Sequence, residues 1–337
     1  MNNPVWEWLV RSRLTAYSSN KKLDGPSPFA AGPSWCFNRL GRTSTTLADG
    51  RVVLIAGEHE DGYDPDFYIY NDVVVVHPNG DVDIYGYPAE IFPPTDSHTA
   101  TLVGDRIVIV GSLGYRKKRS VGTTQVLLLD VATFAISSVR VSGAVPGWIF
   151  KHETLLEGNA ASLLVRGGQV DPDGENFSIF ENIEDWRLHL DSWRWERLTA
   201  RNWQRWEVLR RDRKSNGLWK KRRLLWDCGS SFALLRPKNV DEATRVQLDI
   251  VSNLYRPPIP HEQMPTVEFE FNVFRIKVDG IVVRYVEDTY SVQLTIEGEL
   301  PTATVEVLTS DLSKKLGVVE GATVELRRLC ERSPRPL

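Results

Sequence analysis

The chain has 337 residues, 25% of them charged, and a formal net charge of −3. That length predicts about two domains with a sizeable core, and the slightly acidic balance weighs against a polyanion-binding role. No apolar run approaches the ~20 residues of a membrane span, no apolar signal region follows Met1, and three distant cysteines (Cys36, Cys228 and Cys330) argue against a disulfide framework, so a cytoplasmic protein that does not engage membranes is expected.

Residues 1–40 form an N-terminal segment. Val5–Leu14 predicts a short amphipathic helix, with Trp6, Leu9, Val10 and Leu14 near one face. Docking of that face on the chain's own core is expected. Asp24–Pro33 is rich in proline, glycine and serine and reads as a linker.

Residues 41–198 hold three similar segments. Apolar runs close on Gly57, Gly111 and Gly167, which stand 54 and 56 residues apart. Arg51–Gly57, Arg106–Gly111 and Leu163–Gly167 are predicted to be equivalent inner strands. Asp49-Gly50, Gly104-Asp105 and Gly158-Asn159 precede them as tight-turn pairs. A second hairpin follows each run: Val73–Val76 with Val82–Tyr85, Val126–Leu129 with Phe134–Val139, and Trp186–Leu190 with Trp193–Leu198. Four strands per period of about 50 residues predicts propeller-type blades.

The segments resemble the kelch repeat family. The resemblance rests on the apolar run ending in glycine, on Asn71-Asp72 before the third strand, and on Leu190-Asp191-Ser192-Trp193-Arg194-Trp195 at the end of the third copy. It covers roughly half the chain. Gly167-Gly168 matches the family's double glycine, whereas Gly57-Glu58 and Gly111-Ser112 depart from it. The terminal Trp is present in the third copy, with Tyr85 and Ile136 at the comparable places in the others. The resemblance implies a mainly β fold of kelch-like blades. It leaves function open, because such scaffolds serve both as enzymes and as binding platforms. Three blades do not close a propeller. Either Leu224–Leu235 and Arg245–Ser252 supply a degenerate fourth, or the array is open and a C-terminal module covers an edge.

The loop after the first run is acidic, with Glu58, Glu60, Asp61, Asp64 and Asp66 around His59. Its spacing fits no standard calcium loop, so a solvated rim and no metal are expected. The matching loop of the second copy is basic, with Arg116, Lys117, Lys118 and Arg119. Opposite charges in equivalent loops predict a chemically varied rim suited to recognising one surface. His98 and His152 lie one period apart, which predicts a structural hydrogen bond within each blade. Ser97 and His98 are strand neighbours pointing to opposite faces and make no nucleophile–base pair.

Residues 199–260 begin with an unusual composition. Seven of the eleven tryptophans lie between Trp186 and Trp226, interleaved with cations, ten Lys or Arg residues of which fall between Arg201 and Arg223. An amphipathic helix over Asn202–Lys214 is expected, with Trp203, Trp206 and Arg210 at helical spacing and Arg211 beside them. Trp and Arg dominate interface hot spots, so a protein partner is the favoured ligand. Stacking on RNA bases is the alternative.

Residues 261–337 read as a small β-rich domain. Val267, Phe269, Phe271 and Val273 alternate, and Asp279-Gly280 marks a hairpin. Tyr290–Glu297, Thr304–Leu308 and Val324–Leu329 are further expected strands, with a short helix at Asp311–Leu316 capped near Asp311. No nucleophile elbow, phosphate loop or zinc motif is present. The functional expectation is a non-catalytic protein-binding module without a cofactor. Its most specific form is a bacterial immunity protein that neutralises a toxin. The alternatives are an enzyme with its site in a propeller cleft and an RNA-binding module.

Overall fold

The computed structural model describes residues 1, 3–14, 18, 22, 35–59, 68–158, 160–172, 179–230, 240–267 and 270–329. The protein is mainly β and divides into two compact units, Met1–Ala200 and Arg201–Ser333.

The first unit is built on three antiparallel meanders. The first sheet runs Thr43–Thr46, Val52–Ile55, Asp72–Val76, Val82–Gly86; the second, Thr99–Val103, Arg106–Val110, Val126–Asp130, Ile136–Ser138. The third runs Glu153–Glu157, Ser162–Arg166, Trp186–His189, Arg194–Arg197, and Ser142–Gly143 adds in parallel to its last strand. Each apolar run of the sequence is therefore the second strand of its sheet, with a partner on either side.

Strand alternation packs the sheets in series. Val53, Ile55, Val73 and Val75 meet Ile107, Ile109, Leu127 and Leu129 between the first two sheets. Val108, Val110 and Val126 on the second sheet's other face meet Leu163, Val165, Trp186 and Trp195 of the third. Fully burying each Val, Leu or Ile contributes about 1.5–3 kcal/mol, so these two layers dominate the unit. The expected N-terminal helix spans Pro4–Ser12, and Asn3 Oδ1 caps it by accepting the Val5 and Trp6 N–H groups. Its Leu9 and Val10 cover Leu54, Val74 and Ile84, the face of the first sheet turned away from the second. The far face of the third sheet carries ion pairs instead, Arg187 with Glu157 and Glu196 and Arg166 with Glu153, with Leu155 exposed among them. A helix thus covers the outer face of the first sheet, and ion pairs lie on the outer face of the third.

The pairing register corrects one alignment. Thr43 opposes Ile55, Thr99 opposes Val110 and Glu153 opposes Arg166. The next residues are Ala56, Gly111 and Gly167, all left-handed with φ of 51°, 74° and 62°. The double-glycine position is therefore Ala56-Gly57, Gly111-Ser112 and Gly167-Gly168. Likewise Ile136 opposes Leu129 and Trp195 opposes Leu188, and the corresponding residue of the first sheet is Val82 opposite Val76 rather than Tyr85.

The second unit is a six-stranded sheet with three helices. Its order is Glu262–Gln263, Val273–Val278, Ile281–Glu287, Ser291–Ile296, Gln204–Arg210, Val324–Arg328. Asp279 and Gly280 both take positive φ (50° and 80°), as their two-residue hairpin requires. Several sequence expectations fail here. The helix expected over Asn202–Lys214 is the strand Gln204–Arg210, hydrogen-bonded to neighbours on both sides. Trp206 and Val208 face the apolar core while Glu207 faces the other way, an alternation that the spacing of Trp203, Trp206 and Arg210 had masked. Thr304–Leu308 is not a strand but part of the helix Thr302–Glu320, which buries Val305, Leu308, Leu312, Leu316 and Val319. Asp311 lies mid-helix, 2.7 Å from Lys315, and caps nothing. No fourth blade forms from Leu224–Leu235 and Arg245–Ser252. Their described residues belong to the helices Leu218–Gly229 and Glu242–Ser252, and residues 231–235 lie outside the described residues. The strand Gln204–Arg210 and these helices share one sheet and core with the C-terminal strands, so the separate segments expected at 199–260 and 261–337 form a single unit.

Candidate functional site

The basic loop of the second sheet is a tight turn, Arg116–Lys118, held at both ends. Before it, the Tyr115 hydroxyl accepts the Ile69 N–H at 2.8 Å. After it, Arg119 donates to the Leu113 carbonyl at 2.9 Å and to Asp171 Oδ2 at 2.8 Å. That ion pair is buried, with Arg119 6% and Asp171 0% exposed. Asp96, whose carboxyl burial pushes up, accepts the Gly114 N–H at 2.8 Å and fixes the approach to the turn. Arg119 is therefore an anchor and not a contact residue, while Arg116, Lys117 and Lys118 are exposed at the tip. A turn fixed in this way presents its cations with little ordering left to lose on binding.

Glu58 is half-buried in the short strand Glu58–His59, paired with Tyr68–Ile69. The buried His59 ring lies 3.0 Å from the Asn38 carbonyl oxygen. Glu60 and Asp61, with Asp64 and Asp66, lie outside the described residues.

His98 and His152 join neighbouring sheets, where a bond within each blade was expected. His98 Nε2 lies 2.8 Å from Thr43 Oγ1 of the preceding sheet, and His152 Nε2 lies 3.0 Å from Thr99 Oγ1. Burial pushes the pKa of His98 down to about 3, with His152 adding to the effect, and burial alone pushes His152 down to about 4. Both rings are neutral near pH 7. Each follows a left-handed residue, Ser97 or Lys151, whose N–H donates to Gly41 O or Ser97 O respectively at 2.8 Å.

The Trp/Arg candidates of the second unit separate by role. Trp206 packs on the apolar core under Arg328, and Trp203 is flanked by Arg201 and Arg284 at 5.4 and 5.8 Å. Arg210 makes two bonds to Asp212, at 2.9 and 2.7 Å, and one to Glu320 Oε2 at 3.2 Å, and these carboxylates raise its pKa. It closes the strand against the end of the helix Thr302–Glu320. Arg211 alone of the four is exposed. The exposed tryptophans are others, Trp219 at 71% and Trp226 at 61%, on the helix Leu218–Gly229. Sequence reading counted them in the Trp-rich stretch but had no means of choosing them.

The second unit also buries Glu207 on the sheet face away from the helices. Arg327 donates to its Oε2 at 2.8 Å, and burial pushes its carboxyl up. The Glu207–Arg327 pair joins adjacent strands and reads as structural. Among the described residues, no group of three or more His, Cys, Asp or Glu side chains is placed to hold a metal ion. Among them, no helix is long and apolar enough to cross a membrane.

No protein-family model matches the chain, and no curated protein does. Among solved structures it is similar to one titled "Structure of YjhT", at 13% sequence identity and a TM-score of 0.39. The match covers 52% of this chain and 55% of that one, so the chain spans just over half the length of that structure.

Proposed function

We propose that the chain is a non-catalytic binding protein whose first unit is an open array of three kelch-like blades. Its rim carries the contact surface for a protein partner. The supporting observation is the anchored turn: Arg119 is used up on Asp171 and two carbonyls, and Arg116, Lys117 and Lys118 stand exposed beyond it. Positive charge fixed at a rim steers an acidic partner and sets the rate and choice of association. The conspicuous histidines are occupied in joining sheets, which agrees with a scaffold rather than a reaction centre. In its most specific form the partner is a toxin that the chain captures and neutralises in a bacterial cytoplasm.

The test is a native pull-down with wild type and Lys117→Glu/Lys118→Glu, followed by titration of the recovered partner at two salt concentrations. The reversal is expected to slow association at low salt and reduce recovery. For the toxin form, co-expression with the recovered partner should restore growth, and the reversal should weaken that protection. Unchanged recovery and kinetics would remove the turn from the interface.

A further inference from the structure

We infer that the helix Leu218–Gly229 carries a second docking surface, a stripe of Trp219, Arg223 and Trp226 that takes an acidic, apolar-studded segment of a partner protein. The stripe follows from how the helix is held. Leu218 is buried in the core of the second unit. Arg222 donates to Glu287 Oε1 at 3.0 and 2.7 Å and to the Val251 carbonyl at 3.1 Å. Lys221 lies 3.6 Å from Glu320, whose carboxylate also accepts the Gly217 N–H at the start of the helix. Tyr255 adds its hydroxyl to Glu287 at 2.7 Å. These contacts fix the rotation of the helix, so Trp219, Arg223 and Trp226, spaced i, i+4 and i+7, form one outward strip. The two indoles are 71% and 61% exposed, and Lys220 is exposed beside them.

Charge selects the occupant. Residues 210–228 hold eight Lys or Arg against two Asp, in a chain whose formal charge is −3. Both aspartates already have cations, Arg210 at 2.7 Å and Arg223 at 3.8 Å. Exposed Arg211, Lys214 and Lys220 add positive charge along the stretch, which favours carboxylates on the partner. Two exposed tryptophans among arginines are the composition of interface hot spots, and they call for apolar groups between those carboxylates. A nucleic acid fits less well. Lys221 and Arg222 are spent inward on carboxylates, which breaks the run of cations that a phosphate track needs. This surface lies on the second unit and stands whether or not the Lys117/Lys118 turn binds.

The experiment is a selection of displayed 12-residue peptides on the full-length protein, with affinities of the winners for wild type and variants measured by titration calorimetry and contact with the two indoles read on wild type by quenching of tryptophan fluorescence. Winners are expected to combine Asp or Glu with Leu, Phe or Trp. Trp219→Ala or Trp226→Ala should weaken them about 30-fold, matching the roughly 2 kcal/mol of a hot spot, and Arg223→Glu should weaken them at least several-fold. Lys117→Glu/Lys118→Glu is the control and should leave their affinity unchanged, which separates this surface from the turn. Circular dichroism and the melting temperature should be those of wild type, because the substituted side chains are exposed. The inference is overturned if winners bind the Trp219→Ala/Trp226→Ala variant equally. It is also overturned if they carry no acidic bias, or if a single-stranded oligothymidine or phosphatidylserine vesicles quench the two indoles and acidic peptides do not.

Discussion

His152 Nε2 stands 3.0 Å from Thr99 Oγ1, across the boundary between the second and third sheets, and His98 repeats the contact with Thr43 one sheet earlier. Both rings are buried, with pKa values pushed down to about 4 and about 3 from an ordinary 6.5. The unfolded chain therefore binds more protons than the folded one between those values and 6.5. Stability contributed by the neutral rings is complete above pH 6.5 and is lost as pH falls toward 4 and 3. Each histidine adds a slope of about 1.4 kcal/mol per pH unit within its window. His98→Ala and His152→Ala should each cost roughly 2–4 kcal/mol near pH 7 through the lost ring and bond, and each should flatten the acid limb. Urea melts from pH 4 to 8 measure both. A variant with wild-type stability and slope would show that its ring is not held as described.

Gly111 carries a sharper constraint than its turn alone. Its φ is 74°, and a Cβ there would lie 2.4 Å from the Ile149 carbonyl oxygen and 2.6 Å from His152 Cε1. Gly122 has a similar φ of 77° with nothing within 4 Å. Gly122→Ala should cost about 1–2 kcal/mol for the left-handed backbone. Gly111→Ala should exceed it by roughly 1–3 kcal/mol, because the contacted groups have to move. Denaturant midpoints of the two variants decide this, and equal costs would mean that the approach of His152 to Gly111 does not matter.

The repeat was legible because strand-ending glycines recur near 55 residues and apolar runs lie between them. Its register was misread by one residue because Ala56 takes the left-handed conformation that glycine takes in the other copies, and sequence does not advertise a strained alanine. The strand Gln204–Arg210 was misread because a Trp–Trp–Arg spacing of three and four residues fits a helix while the same residues alternate. The helix Thr302–Glu320 was misread because its threonines and valines favour strands, and tertiary burial of one face overrides that preference. Which tryptophans face water was not legible, since it depends on Arg222 and Lys221 finding Glu287 and Glu320 65 and 99 residues away.

Arg119 and Lys117–Lys118 are adjacent in sequence and opposite in consequence. Arg119→Met removes the ion pair with Asp171, which is 0% exposed, and breaking such a buried pair costs about 3–5 kcal/mol. Lys117→Glu/Lys118→Glu changes exposed groups and should shift stability by no more than about 0.5 kcal/mol per residue. Thermal melts give both numbers. A large loss from the lysine reversal would identify the tip as part of the fold and disqualify it as a contact surface.

Arg210 and Arg211 divide in the same way within the second unit. Both belong to the Trp/Arg stretch that the sequence marks for partner binding, and of the two only Arg211 is exposed. The Arg210 guanidinium lies between Asp212 and Glu320, and Glu320 is only 3% exposed and also receives the Gly217 N–H. Arg210→Glu would set a third carboxylate against those two and strip Glu320 of a cation, leaving Lys221 at 3.6 Å as its remaining ion-pair partner among the described residues. A loss of roughly 2–5 kcal/mol is expected, with faster amide exchange at the end of the strand Gln204–Arg210 and at the C-terminal turn of the helix Thr302–Glu320. Arg211→Glu should stay within about 0.5 kcal/mol of wild type and leave exchange unchanged. Urea unfolding and hydrogen exchange on the two full-length variants measure the contrast. Equal midpoints and equal exchange would mean that the Arg210–Glu320 contact does not tie strand to helix.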